Sequence, residues 1–353
     1  MSQMLEEIRQ QPLALERTLK SELRTAERLR RRLEKQKPRL VVIAARGTSD
    51  NAAQFARYLI EITTGVPVSL AAPSIFTLYD ASLNFSDALV VAISQSGEST
   101  DTNLVLDRAR ASGALTVGIT NEPESSLARI AEHVMFVRAG REKSVAATKT
   151  YTGQIMAGYL LAYALGAPLD PEDLRLLPEW TESALELEPQ ICERAERYTF
   201  INRALVVGRG LNYSNAFEFA LKLMETCYVV AERFSSADLL HGPIAMVESA
   251  FPAFLFTPVG VTWPGLKEML QKLGQLKAET MVITDLGNRE AIQMAGRAIC
   301  IPRKLKGGKG LPQEIYTPIP YIVPAQLFAA CLADKKGLDP DRPRTLSKVT
   351  QTL

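Results

Sequence analysis

Short apolar runs alternate with amphipathic stretches along most of this chain. Leu40-Val41-Val42-Ile43-Ala44-Ala45 reads as a buried strand, Arg46-Gly47-Thr48-Ser49 as a loop, and Asn51 to Ile62 as an amphipathic helix. Ala88 to Ile93 is a second strand, and Asn103 to Ala109 a second helix. Ala114 to Ile119 and His133 to Val137 are further strands, with a short helix near Leu127 between them. Residues 4 to 36 read as helix with a break near Pro12, since proline removes a backbone donor and restricts the preceding residue. Strands that are apolar throughout, each followed by a helix, predict an α/β fold with parallel sheets covered on both faces, doubly wound.

The pattern then recurs. Ala204 to Gly210 matches the first strand and its Arg-Gly turn, and Asn215-Ala216-Phe217-Glu218-Phe219-Ala220 echoes Asn51-Ala52-Ala53-Gln54-Phe55-Ala56. Ala253 to Phe256 and Thr280 to Ile283 read as later strands of the second copy. The layout read from the sequence is a helical segment 1–36, a domain 37–180, a second domain 190–333, and a tail 334–353. Linking helices are expected between Leu165 and Glu196. The tail shows no periodicity, and on its own it reads as a loose terminus.

Candidate chemistry concentrates beyond the strand ends, where doubly wound sheets bind ligands. Ser94-Gln95-Ser96-Gly97-Glu98-Ser99-Thr100-Asp101-Thr102 joins a strand to a helix and is dense in hydroxyls around one glycine. Two readings fit: a capped helix start, or a cradle in which N–H groups and hydroxyls hold a phosphate. It lacks the lysine of a nucleotide P-loop. Thr257-Pro258-Val259-Gly260, its counterpart in the second copy, lacks the hydroxyl density, so one phosphate site is expected, in the first half. Glu218, Lys222 and Glu225 share one helix face by their spacing, either as a salt-bridged surface stripe or as a carboxylate base with a lysine to tune it. The two histidines are His133, which opens a strand, and His241, in the turn Leu240-His241-Gly242-Pro243, placed either for packing or for proton exchange. Lys348 lies in the tail; it is either solvated or, if the tail folds back, an amine able to form a Schiff base.

Composition narrows the classes. The chain has 353 residues, 46% of them hydrophobic, with a net charge of +2 and both signs interspersed. This gives no footprint for nucleic acid or anionic membrane. The cluster from Arg28 to Arg32 reads as a solvated helix face. No apolar run approaches the roughly 18 residues of a membrane span, and the N-terminus is not a signal peptide, so a cytoplasmic protein is expected. Cys192, Cys227, Cys300 and Cys331 are widely spaced. Free buried thiols are expected, with neither a zinc site nor a disulfide.

Taken together, the motifs Arg46-Gly47-Thr48-Ser49, Ser94-Gln95-Ser96-Gly97-Glu98-Ser99, Val145-Ala146-Ala147-Thr148-Lys149, Gly208-Arg209-Gly210, Ala220-Leu221-Lys222-Leu223-Met224-Glu225, His241-Gly242-Pro243 and Pro343-Arg344-Thr345-Leu346-Ser347-Lys348 resemble the SIS (sugar isomerase) phosphosugar family. Over nearly its full length the chain is similar to the isomerase half of glucosamine-6-phosphate synthase, and most of all to isomerising glucosamine-6-phosphate deaminases. The resemblance implies two tandem SIS subdomains with the tail over the active site. It implies that Ser49, Ser94, Gln95, Ser96 and Ser99, with Thr48 and Val145, bind the sugar phosphate. It further implies that Glu225 shuttles a proton between C1 and C2, Lys222 assists it, His241 opens the ring from the neighbouring subunit of a homodimer, and Lys348 forms an imine. No metal or other cofactor is implied. Ser99 replaces a family threonine and keeps the hydroxyl; Arg46 replaces a small residue or cysteine at the loop mouth, where it bears on sugar preference. The likeness starts at Met4 to Pro12 with no glutaminase segment before it. The expected direction is therefore glucosamine 6-phosphate to fructose 6-phosphate and ammonia. Alternatives are another phosphosugar (galactosamine or fructosamine 6-phosphate), a deglycase, a synthase fed by ammonia or a partner, or a non-catalytic sugar-phosphate sensor.

Overall fold

The computed structural model describes residues 2–346 and 348. They fall into two compact units. The first unit comprises Leu13–Glu142 and Lys149–Arg175 with Leu346 and Lys348; the second comprises residues 2–12, Lys143–Thr148 and Leu176–Thr345.

The first unit holds a sheet of β1 (Leu40–Ala45), β2 (Val68–Leu70), β3 (Ala88–Ile93), β4 (Leu115–Thr120) and β5 (His133–Phe136), all parallel, in the order β2-β1-β3-β4-β5. Central β3 is buried at every position, which is why it reads as an unbroken apolar run. On one face Val90 and Ala92 pack with Val105, Leu106 and Ala109 of the Thr100–Ala111 helix and with Leu127. Phe55 of the Thr48–Thr64 helix meets Tyr159 of the Lys149–Ala164 helix edge-on, ring centroids 4.9 Å apart.

The second unit repeats this plan. Strands β6 (Arg203–Gly208), β7 (Val230–Ser235), β8 (Pro252–Phe256), β9 (Glu279–Asp285) and β10 (Arg297–Ile301) form a parallel sheet ordered β10-β9-β8-β6-β7. Numbered within each copy, both sheets run 2-1-3-4-5. The internal repeat read from the sequence is therefore a repeat of topology, and the fold is the expected pair of doubly wound parallel sheets. In each sheet the strand order reverses between the first and third strands of the copy, which opens a crevice at their carboxyl ends.

The break near Pro12 is present. Helices Gln3–Arg9 and Gln11–Lys35 meet at Gln10, and Pro12 sits in the first turn of the second, where a missing N–H costs no hydrogen bond. Part of the tail is tied down as well. The Asp341 carboxylate accepts the Gln3 and Met4 N–H groups, both at 2.7 Å, and Arg344 lies 4.5 Å over the Tyr228 ring.

One expectation is overturned. Cys192, on the Glu188–Glu196 helix, is disulfide-bonded to Cys331, on the Pro318–Lys335 helix. The partners are 139 residues apart in sequence; the packing of two helices brings them together, and spacing rules built on near neighbours cannot detect that. Cys227 and Cys300 are free, and burial pushes the Cys227 thiol up to about 11. Denatured but unreduced protein should therefore titrate two thiols, and reduced protein four. Reduction should lower stability by about 2–5 kcal/mol, as expected for a cross-link closing a long loop. Four titratable thiols before reduction would contradict the bond.

Candidate active site

At the crevice of the first sheet, β1 ends in Arg46–Ser49 and β3 in the serine loop. The Arg46 guanidinium lies 2.9 Å from the Asp101 carboxylate, which is buried in the first turn of the helix after the loop. This ion pair ties the two loops of the crevice together. Thr48 begins its helix half-buried, and the buried Ser49 hydroxyl accepts a hydrogen bond from the Gln154 amide at 2.9 Å.

The serine loop is braced from several sides. The Ser94 N–H continues the sheet by bonding to Ile119 O at 3.0 Å, and Ser94 Oγ accepts the Gly97 N–H at 3.1 Å. Gly97 O accepts both the Leu127 N–H and the Asn103 amide at 3.0 Å. Ser96 Oγ accepts the Glu98 N–H at 3.3 Å. The Glu98 carboxylate takes the Ser126 N–H and hydroxyl, which hold it below the usual carboxylate range. Ser99 is the N-cap residue of the Thr100–Ala111 helix, yet its hydroxyl does not cap it. Gly97 has φ +66°, and a Cβ there would overlap the Ser125 side chain. Gly97→Ala should distort the loop at a cost of about 1–3 kcal/mol. Thermal unfolding should then show a lower melting temperature than that of the unmodified chain with the circular dichroism spectrum unchanged; an unaltered melting temperature would contradict the close packing of Gly97 on Ser125.

Gln95 and Ser96 open onto a cavity of about 400 Å³ that is also lined by Ser125, Arg141, Glu142 and Lys348. The Lys348 amine lies 2.8 Å from the buried Glu142 carboxylate. That carboxylate also accepts the Thr150 N–H at 3.2 Å and hydroxyl at 2.7 Å, in the first turn of the Lys149–Ala164 helix, where the dipole favours an anion. The tail thus delivers Lys348 to the cavity that carries Gln95 and Ser96. Glu142 is the residue that reading the sequence missed. Its only signal is a carboxylate just ahead of the Val145-to-Lys149 motif.

In the second unit the Tyr213–Cys227 helix carries the charged triplet. Lys222 Nζ lies 3.3 Å from Glu218 and 2.6 Å from Glu225; Lys222 and Glu218 are fully buried, and Glu225 is 22% exposed. A solvated surface stripe does not describe this arrangement. Burial pushes the Lys222 pKa down, but the two carboxylates outweigh it, so the ammonium stays protonated well above the ordinary lysine range. The Lys222 ammonium is thus held between the two carboxylates, closer to Glu225 than to Glu218. Glu225 is also the member of the triplet that reaches solvent.

His241 is exposed, follows the Ser236–Leu240 helix and donates its N–H to Asp238 O at 3.2 Å. His133 opens β5 as the pattern predicts, 3.9 Å from Glu132. Val145 is half-buried, and its N–H reaches Asp341 O at 3.3 Å. The buried Glu7 carboxylate accepts the N–H groups of Lys143 and Ser144 in the same loop. Among the described residues no three His, Cys, Asp or Glu side chains are grouped to hold a metal ion, and no helix is long and apolar enough to cross a membrane.

The SIS domain profile matches residues 33–164 and 200–308, one match for each sheet. The chain belongs to the SIS domain family. It is 36% identical over 352 residues to a glutamine–fructose-6-phosphate aminotransferase (isomerizing) from Pyrococcus horikoshii, an alignment covering 98% of this chain and 57% of that protein. It superposes on the C-terminal domain of glucosamine-fructose-6-phosphate aminotransferase from Francisella tularensis with a TM-score of 0.84 and 27% identity, covering 97% of this chain and 98% of that one. A glucosamine-6-phosphate deaminase from Thermotoga maritima superposes with a TM-score of 0.78, covering 99% of this chain and 100% of that one; at 20% identity it shares the fold. This SIS chain spans about half the length of the curated relatives it matches.

Proposed function

We propose that this chain is a phosphosugar aldose–ketose isomerase acting on glucosamine 6-phosphate, with water as co-substrate and fructose 6-phosphate and ammonia as products. The observation that carries the reading is the cavity in which Lys348, paired with Glu142, stands with Gln95 and Ser96 of the hydroxyl-rich loop. Phosphate sits on the loop hydroxyls and N–H groups, with Ser49, Ser94, Ser96, Ser99 and Thr48 as the donors implied by the family motif. His241 assists ring opening, supplied by the partner chain of a homodimer. Glu225 removes the C2 proton and returns it to C1, converting the aldose amine to a ketose imine. Water then adds at C2 and ammonia leaves. By the covalent route the Lys348 amine displaces ammonia first, and water cleaves the lysine imine.

The test is to incubate the purified chain with glucosamine 6-phosphate, without glutamine, and measure ammonia and fructose 6-phosphate together. Equal release of both supports the proposal. Binding without release removes the deaminase assignment and directs the substrate panel to galactosamine and fructosamine 6-phosphates. The identity to aminotransferases favours a second direction for the same chemistry, so fructose 6-phosphate with ammonium, and separately with glutamine, belongs in the panel.

A further inference from the structure

The second sheet has the crevice of the first with fewer hydroxyls, and a side chain fills it. β8 holds the place in its sheet that β3 holds in the first. The loops after them begin alike: the Ser94 N–H bonds to Ile119 O and the Thr257 N–H to Ile283 O, both at 3.0 Å. Each loop reaches a glycine of positive φ at its fourth residue, Gly97 at +66° and Gly260 at +143°. Each then enters a helix, Thr100–Ala111 in one case and the thirteen-residue Trp263–Gln275 in the other.

At that second helix start the Glu314 carboxylate, 2% exposed, accepts the N–H groups of Val261 and Thr262, both at 3.3 Å. A Cβ on Gly260 would overlap the same carboxylate, so the missing side chain is what makes room for it. The buried Thr262 hydroxyl has no hydrogen-bond partner among the described residues. Glu314 comes from the segment before the Pro318–Lys335 helix. Its carbonyl accepts the Thr317 hydroxyl, and that hydroxyl accepts the amide of Asn212 beyond β6. A buried carboxylate on the N–H groups of a helix's N-cap residue and of the residue before it, at the point where strand order reverses, occupies the place an anion would take.

We propose that Glu314 is an internal counter-anion filling the second repeat's oxyanion slot, and that removing its carboxylate opens a second site for inorganic phosphate or a phosphomonoester. The pairing of the two loops rests on strand order and hydrogen bonds. Only the choice of phosphate as ligand rests on the reading of the serine loop given above.

The experiment compares the full chain with its Glu314→Ala and Glu314→Gln variants, titrated with inorganic phosphate by calorimetry against chloride at matched ionic strength. Glu314→Ala should take up one more equivalent of phosphate than the unmodified chain. Glu314→Gln, whose amide still occupies the slot, should take up none beyond it. If Glu314→Ala is unfolded in chloride, recovery of its native circular dichroism on adding phosphate is the expected result, and no recovery overturns the proposal. An added equivalent in both variants, or in neither, also overturns it. Should the unmodified chain bind no phosphate while Glu314→Ala binds one, the serine-loop reading fails and this inference stands.

Discussion

Glu225→Gln should lower the rate of ammonia and fructose 6-phosphate release by about 10²–10⁴-fold, the range expected for loss of a positioned general base. The amide keeps the shape of the carboxylate and cannot accept the C2 proton. The side chain is 22% exposed and sits 2.6 Å from a buried ammonium, so the substitution removes one charge without opening a cavity. Affinity for the sugar phosphate should stay within a few-fold, because the anchor proposed for it lies in the other unit. Steady-state assays with a separate binding titration check both halves. Turnover near the original level would remove Glu225 from the mechanism. Loss of binding along with turnover would instead mark it as a structural residue.

Lys222→Met should be the most destabilising single change on this helix, by about 3–5 kcal/mol near neutral pH. Removing one partner of a buried charge cluster strips the others of their counter-charge. Here the loss leaves two carboxylates, one of them fully buried, without the cation between them. The pH dependence has a definite sign. The folded pKa of Lys222 is raised, so its stabilisation is complete at neutral and acid pH and fades only as alkaline pH passes through that raised value. The deficit of Lys222→Met should therefore hold through neutral pH and shrink only at strongly alkaline pH. Thermal unfolding from pH 7 upward measures this; a variant as stable as the parent at pH 7 would contradict the buried triplet.

Much of this was legible in the chain. The interior strands β1, β3, β4, β6, β8 and β9 are covered on both faces, and their apolar runs announce them. The strands that escaped reading are all at sheet edges. β2 is three residues long, β7 alternates Ala231 and Ser235 with exposed Val230, Glu232 and Arg233, and β10 is only partly covered. An edge strand has one neighbour and a wet side, so its sequence loses the continuous run. The face shared by Glu218, Lys222 and Glu225 followed from helical spacing, but the burial that makes it chemically informative came from packing against the rest of the unit. Glu142, Glu314 and the bond between Cys192 and Cys331 arise from partners distant in sequence, and no local pattern encodes them.

The clamp on the Val145 loop gives the extremities of the chain a role out of proportion to their size. Glu7 holds the N–H groups of Lys143 and Ser144, while Asp341 holds the first turn of the N-terminal helix through its carboxylate and Val145 through its carbonyl. Neither residue belongs to a sheet. A protease that trims the first ten residues, or cuts between Lys335 and Asp341, would leave both sheets uncut and yet release this loop. Partial digestion would then yield a molecule that keeps its β-sheet signature in spectroscopy with the Val145 loop unclamped. For this chain a folded spectrum alone is therefore an unsafe measure of an intact preparation.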